Sequence, residues 1–530
     1  YIRPNYQKLE TPDSMRFRGN AAYFNYPHLD YCVQVLRMYR QNLEGSMVRK
    51  LMVAALFVTL LSTAASAQDA KTVISNASKA MGAENLNSIT YSGSASDVSF
   101  LQCGAQTQPG AQHCKGINFP MRPITNYVRA IDLTQPLSQA TGGTMNPGGG
   151  AATGPPAPGV FNQRITPQQA VMTADWAQQL ELWITPWGFL KGAPANNATL
   201  SARRVDGKNY QVLSWMPAIK APSGASYMIN GYINTQNNMV ERVETWLGNE
   251  VLGDMHIEAT YSDYKDFGGA KVPTKMVQTR GGWPFFEVNV TSARANPTDI
   301  ATLLQPPPAP AGRGGGAPGG AAGAGRGGAA PGGAPASAAG PASEKLAEGV
   351  YRITGGYSSL AIEFEDHIML LEGGNNDARA LAIIAEAKRV IPNKPIRYVM
   401  NTHHHSDHSG GLATFVAEGA TIITHKNNKE FFEKAYSTPR TLLTDTLAKN
   451  PKKPKVEGVG AKKVYKDSKG NVEFHHMTPV PHSDGMLIAY LPKEKILFQG
   501  DFSLPAAGQP ANDHIKALVP VLDRLKLDFD

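Results

Sequence analysis

The chain has 530 residues, 42% of them hydrophobic, and a formal charge of +8. That length is too great for one ordinary domain, so two or three are expected, and the apolar content excludes a wholly disordered chain. The basic surplus does not imply nucleic acid: no dense basic stripe is present, and Lys452-Lys453-Pro454-Lys455 reads as a solvated loop.

Residues 47–67 read as a secretory signal peptide. Met47 is followed by Arg49 and Lys50, then by the apolar run Leu51 to Leu61, then by Ala65-Ser66-Ala67 as a small-x-small cleavage site before Gln68. The run is too short to span a bilayer comfortably, so no transmembrane anchor is expected after cleavage. A signal peptide should begin a chain. Met47 is therefore read as the true start and residues 1–46 as a spurious extension. Eight basic and four acidic residues lie before Gln68, so cleavage there halves the charge surplus. A periplasmic or secreted location is expected. Cysteine use agrees with export: Cys103 and Cys114 flank a Gly/Gln/Pro loop and can close a short disulfide in an oxidising compartment, or stand as two unrelated thiols.

Residues 68–305 read as a β-rich accessory domain. A helix is expected from Ala70 to Met81. Strands are expected over Tyr210–Met216, Tyr227–Asn234, Val240–Leu247, Met255–Tyr264, Val272–Thr279 and Phe285–Val290, separated by Asn and Gly-Gly turns. This pattern predicts an antiparallel meander. Gly142 to Pro158 reads as an exposed Gly/Pro-rich loop. The region loosely resembles the half-barrel fold of periplasmic lipoprotein carriers, which implies a cradle for an apolar ligand; a folded unit with no pocket is the other reading.

Residues 306–343 read as a flexible linker. Pro306-Pro307-Pro308 leads into Gly/Ala/Pro repeats whose only charges before Glu344 are Arg313 and Arg326. Such a segment has little to bury and cannot offset the entropy of ordering.

From Glu344 onward, strands alternate with helices. Short strands are expected over Val350–Thr354, Ser359–Phe364 and His367–Leu371. An amphipathic helix follows over Asp377–Val390, with Ala380, Ile383, Ile384 and Ala387 on one face. A strand over Ile396–Met400, a His-rich loop, a helix near Leu412–Ala417 and a strand over Thr421–Thr424 come next. Glu473–Met477, Met486–Tyr490 and Ile496–Phe498 read as strands. The alternation argues for layered α/β packing.

The His-rich loop is the run from Thr402 to Gly411, containing His403-x-His405-x-Asp407-His408. Three imidazoles and a carboxylate this close are costly to fold without a cation among them, and zinc accepts both ligand types. His403 and His405, one residue apart, project to the same side of an extended backbone. Asp407 and His408 can face a second metal as the chain turns. His482, in a turn before a strand, can reach the first metal. Asp501, at the tip of a strand, can bridge the two. Histidines 404, 475 and 476 are read as pointing elsewhere, and His425 as structural or exposed.

In this order, the six residues make residues 344–530 resemble the metallo-β-lactamase superfamily. The resemblance implies an αβ/βα sandwich with metals at one edge. It places one zinc on His403, His405 and His482, and a second on Asp407 and His408 with Asp501 bridging. It further implies that metal-activated hydroxide attacks a small-molecule substrate, with Asp407 or Asp501 orienting it. Two departures stand out. The superfamily supplies a further histidine beyond Asp501, and His514 comes too soon, so the domain is expected to lack its C-terminal end and its second site to be weak. Glu372 stands where the superfamily has an aspartate that braces the site.

Leu491 to Phe498 resembles one subclass of true β-lactamases, but that subclass has a cysteine where Asp501 stands. Asp501 is more similar to the thioesterase and general-hydrolase branches, such as glyoxalase II. An ester, thioester or lactam substrate is expected. The alternatives are an iron-dependent sulfur dioxygenase, since the ligand set also accepts iron, and a periplasmic carrier of an apolar ligand with an inert metal domain. The Pro/Lys segment from about Pro439 to Gly460 reads as a loop over the site.

Overall fold

The computed structural model describes residues 69–102, 117, 119, 121–146, 157–165, 176–218, 220–306, 342–355, 358–479, 482–502, 511 and 513–529. The signal peptide, the leader before it, both candidate disulfide cysteines and nearly all of the 306–343 segment lie outside these residues.

The accessory region opens with a helix over residues 69–80. Ala70, Val73 and Ala77 are buried along one face of it, with Met81 just beyond, a helical spacing. Eleven antiparallel strands follow. Four of them, Ser88–Asp97, Arg122–Asp132, Leu137–Asn146 and Ala157–Ile165, run in chain order to one edge. The other seven run from Thr199–Val205 at the opposite edge to Trp283–Ala295, which closes the sheet against Ser88–Asp97.

Local chemistry explains the meander. Strand Gly253–Phe267 alternates buried and partly buried residues through Tyr261, the period of a half-covered strand. Gly268 and Gly269 (φ 66° and 90°) turn it into strand Ala270–Arg280, and Gly281 and Gly282 (φ 57° and 90°) turn that strand into Trp283–Ala295, because both central positions need positive φ.

Residues 147–156 of the expected Gly142 to Pro158 loop lie outside the described residues, but its two ends are strand. Strands Leu137–Asn146 and Ala157–Ile165 pair antiparallel, with Gly142 opposite Phe161 and Met145 opposite Pro158. A Cβ on Gly142 would sit 2.5 Å from the Ile124 side chain on the next strand. The glycine permits close strand approach there, so its presence marks a paired edge strand and not a loop residue.

The C-terminal region contains an α/β unit built on two sheets. The seven-stranded sheet begins with the antiparallel strands Ser343–Ala347, Val350–Ile353, Ser359–Glu363 and Ile368–Leu371. It continues in parallel through Ile396–Met400, Thr421–His425 and Lys455–Val459. The second sheet has four antiparallel strands, Lys462–Lys466, Asn471–His476, Leu487–Leu491 and Ile496–Phe498. Met369, Leu371, Met400 and Ile423 of the first sheet form one apolar cluster with Phe474 and Leu487 of the second. Helix Asp377–Val390 buries Ala380, Ile383 and Ala387, as its periodicity predicts. Leu518 and Val521 of helix Asp513–Leu525 pack on Met486 and Ile488.

The Pro439 to Gly460 segment is not a free loop over the site: it holds a short helix and an edge strand. Asp445 caps the short helix Thr446–Lys449 by accepting the Ala448 N–H at 2.8 Å, and Lys455–Val459 is an edge strand. Its beginning is fastened to the accessory region. The Asp254 carboxylate accepts the N–H groups of Thr441 and Leu442 at 2.9 and 3.0 Å. Arg440 Nη2 donates to the Glu250 carbonyl at 2.6 Å.

Trp283 meets Phe431 edge-on at 5.8 Å between ring centres, and the buried apolar cluster runs continuously from one region into the other. The two regions therefore share a core within the unit Ser66–Asp530. No helix among the described residues is long and apolar enough to cross a membrane.

Candidate metal centre

Strand Ile396–Met400 delivers the chain to the site. Asn401 N–H donates to the Ile423 carbonyl at 2.8 Å, extending the sheet by one residue, and Asn401 Nδ2 donates to the His408 carbonyl at 3.0 Å. These bonds fold the loop back on itself. His405 then caps a short helix, Ser406–Ser409. A Cβ on Gly410 would fall 2.1 Å from the Asn375 carbonyl, and one on Gly411 would fall 2.3 Å from the Gly373 carbonyl. Only glycine admits so close a backbone approach. The His482 turn is drawn in by Leu487, whose N–H donates to the Thr402 carbonyl at 2.8 Å.

All six predicted residues come together. His403 Nε2 lies 2.8 Å from His405 Nδ1 and 3.0 Å from His482 Nε2. Asp501 Oδ2 lies 2.8 Å from His482 Nε2 and 3.5 Å from His403 Nε2. One donor atom from each of these four residues lies within 4.8 Å of all the others. Asp407, His408 and Asp501 form a second such group, with Asp501 Oδ1 2.7 Å from His408 Nε2. Asp501 thus offers one oxygen to each group.

Burial sets the charge state. His403 and His405 are fully buried. Desolvation, together with the neighbouring imidazoles, drives both well below the ordinary imidazole range. Each neutral ring has one lone pair to offer a cation, and one ring nitrogen from each faces the same small volume. Burial would also lower His408, but Glu372 and Asp501 on its two nitrogens hold it well above the usual value. Burial would raise Asp501; bonds with His403, His408 and His482 hold it well below the carboxylate range instead.

The donor set fits a divalent cation. Tetrahedral coordination at about 2.0–2.1 Å separates ligand atoms by roughly 3.3 Å, close to the spacings here. Neutral nitrogens facing one another in a buried site are unfavourable unless a cation lies among them. The imidazoles form the floor, while the Asp407 and Asp501 side chains remain 30% and 25% exposed and face the solvent side.

Glu372 braces the centre. Its Oε1 accepts the Thr402 N–H at 2.7 Å and its Oε2 pairs with His408 Nδ1 at 3.0 Å. Its backbone sits at φ 66°, a left-handed conformation that strains a non-glycine residue.

One participant has no signal in the sequence. Gln102, from the accessory region, donates through Nε2 to Asp407 Oδ1 at 2.5 Å and to Ser406 Oγ at 3.2 Å. Ser406 N–H donates to the Leu101 carbonyl at 2.9 Å. Gln102 belongs to no motif, and only the packing of the two regions brings it to the site.

The remaining histidines lie outside the cluster. His404 is fully buried beside Phe119, with Ser483 Oγ 3.4 Å from its Nδ1. His475 pairs with Glu473 at 2.9 Å. His476 stacks on His425 at 3.9 Å and bonds to the Asp484 carbonyl at 2.7 Å. His514 falls in helix Asp513–Leu525. A further group, Glu244, His256 and Glu258, lies in the accessory region. Arg203 approaches Glu244 at 4.0 Å and Arg242 pairs with Glu258 at 3.4 Å, so guanidinium groups already answer its carboxylates.

Residues 353–522 match the family model described as the metallo-beta-lactamase superfamily. The C-terminal region is accordingly a metallo-beta-lactamase domain; the match does not extend to the accessory region. Among curated proteins, the chain is 24% identical over 161 residues to 2,4-dinitroanisole O-demethylase subunit alpha from Nocardioides sp. (strain JS1661). That alignment covers 30% of this chain and 45% of the relative, so less than half of the relative's length is represented. Among solved structures, a metallo-beta-lactamase from Pontibacter korlensis is similar at 18% identity and a TM-score of 0.27, covering 35% of this chain and 85% of that one.

Proposed function

We propose that this chain is an exported zinc-dependent hydrolase acting on an ester, thioester or lactam through an αβ/βα domain spanning 344–530. The observation that carries the reading is the convergence of His403, His405, His482 and Asp501 on one small volume, with Asp407, His408 and Asp501 beside it.

In this reading His403, His405 and His482 would hold a first ion, Asp407 and His408 would hold a second, and Asp501 would serve both. A divalent cation so held supplies Lewis acidity and lowers the pKa of bound water toward about 7. The chain's own residues do the positioning. Gln102 ties one Asp407 oxygen, which fixes the orientation of that carboxylate at the site. Asp501, held ionised, orients the attacking water. Water oxygen bonds to the substrate carbonyl carbon, the carbon–heteroatom bond breaks, and the leaving group departs with a proton.

Export rests on the 47–67 segment, and the accessory region supplies one wall of the site through Gln102. The test is activity of the full chain against a chromogenic ester, thioester and lactam, with an aryl methyl ether added because one relative is named as an O-demethylase subunit. Turnover that disappears on chelation and returns with zinc supports the reading. Turnover that survives complete chelation refutes it. Oxygen uptake with a sulfur substrate and iron would instead identify the dioxygenase alternative.

A further inference from the structure

The accessory region contains a small polar cavity of about 40 Å³. At roughly 10–15 Å³ for each water, it admits about three waters or a small ion among them. Strands Arg122–Asp132 and Ala270–Arg280 supply Arg129 and Gln278 to its wall, and helices Trp176–Trp183 and Pro186–Ala195 supply Glu181 and Trp187. None of these residues belongs to the metal centre.

The charges around the cavity do not balance. Arg129 is only 4% exposed, and a guanidinium keeps its charge even when buried. Its Nε donates to Ser138 Oγ at 3.1 Å and its Nη2 to the Glu181 carbonyl at 3.4 Å, both neutral acceptors. No carboxylate lies within 4.0 Å of its guanidinium among the described residues, because the Glu181 carboxylate pairs with the equally buried Arg280. Two buried guanidinium groups therefore share one carboxylate. The positive charge left without a counter-ion is strongly unfavourable.

The neutral polar groups are unbalanced in the same direction. Gln278 Nε2 and Trp187 Nε1 are buried and have no acceptor among the described residues. Both are hydrogen-bond donors, as the guanidinium is, and buried donors of this kind call for a bound partner. Water can accept from them, but it must then place its own two hydrogens, and it brings no charge. A monatomic anion accepts from every donor and cancels the charge as well.

We propose that this cavity is a binding site for a single chloride ion. The ion accepts from Arg129, Gln278 and Trp187, and so ties helix Pro186–Ala195 to the sheet. One surplus positive charge matches one monovalent anion, and the volume leaves no room for the body of an organic acid. The proposal is independent of the reaction at the metal centre.

The test is urea unfolding of the full chain in mixtures of sodium chloride and sodium gluconate at constant ionic strength. Metal is first removed with EDTA, so that chloride cannot act as a metal ligand, and gluconate is too large for the cavity. Once chloride exceeds its Kd, each tenfold rise in its concentration should multiply the folding equilibrium constant by about tenfold, the mark of one ion bound per folded chain. That dependence should vanish in a folded Arg129→Gln variant measured in the same mixtures, and its onset should move to higher chloride in Gln278→Leu. No chloride dependence in the unmodified chain, or an undiminished one in Arg129→Gln, would overturn the proposal; the cavity would then hold water only. If Arg129→Gln does not fold, crystals of the unmodified chain grown in sodium bromide decide the matter: an anomalous bromide peak beside Arg129 supports the site, and no peak there overturns it.

Discussion

Gln102 Nε2 donates a 2.5 Å hydrogen bond to Asp407 Oδ1 across 305 residues of sequence. The bond crosses from the accessory region into the metal centre, so the site is completed by a residue outside the domain that carries its motif. Replacing Gln102 with alanine should weaken the second metal position and lower kcat by about 10-fold or more, the usual scale for residues that orient metal ligands. Metal stoichiometry and steady-state kinetics on the same preparation check this. Unchanged kinetics would show that the contact is only structural.

Glu372→Gln keeps the acceptor for the Thr402 N–H but removes the charge beside His408. Affinity at the second position should fall roughly 10- to 100-fold, measured by competition with a metal-binding dye. The first position, which Glu372 does not touch, should retain its metal.

Acid should destabilise the metal-free protein. Burial, reinforced by His482, lowers His404 to about 3. An unfolded histidine protonates near 6.5, so the unfolded state binds more protons between those values. Stability is fully present above about pH 6.5 and falls as pH drops toward 3. His404→Phe should flatten that slope by about one proton, read from denaturant midpoints across pH in the presence of EDTA.

Glu250 has the opposite sign. Burial, with Asp445 and Asp377 nearby, raises its carboxyl to about 7 against the partial relief of Arg440. The folded state then binds more protons than the unfolded state between about 4.3 and 7, so stability is lost as pH rises through that window. Glu250→Gln should remove the loss and gain roughly 2 kcal/mol at pH 8. A variant whose stability still falls between pH 5 and 7 would show that this contact between the two regions does not control the slope.

Much of the C-terminal half was legible in the sequence, because its signals are local. Helix Asp377–Val390 and strand Ile396–Met400 carry strong periodicity and have the predicted bounds. The site residues sit in one compact motif and two strand-end turns. Features that depend on tertiary partners were not legible. Strand Lys455–Val459 is a half-covered edge strand with only two apolar side chains, so its pattern is that of a loop. Strand Leu137–Asn146 is rich in Gly and Thr because its neighbour approaches closely. Gln102 acquires meaning only through an interface that no local pattern encodes.

The most direct test is the metal content of the purified full chain and of His405→Ala, measured in parallel by mass spectrometry. The account predicts about one or more equivalents of zinc per unmodified chain and a clear loss in a variant that remains folded. A folded, unmodified chain that carries no tightly held divalent cation, or a variant that retains the full complement, would contradict it.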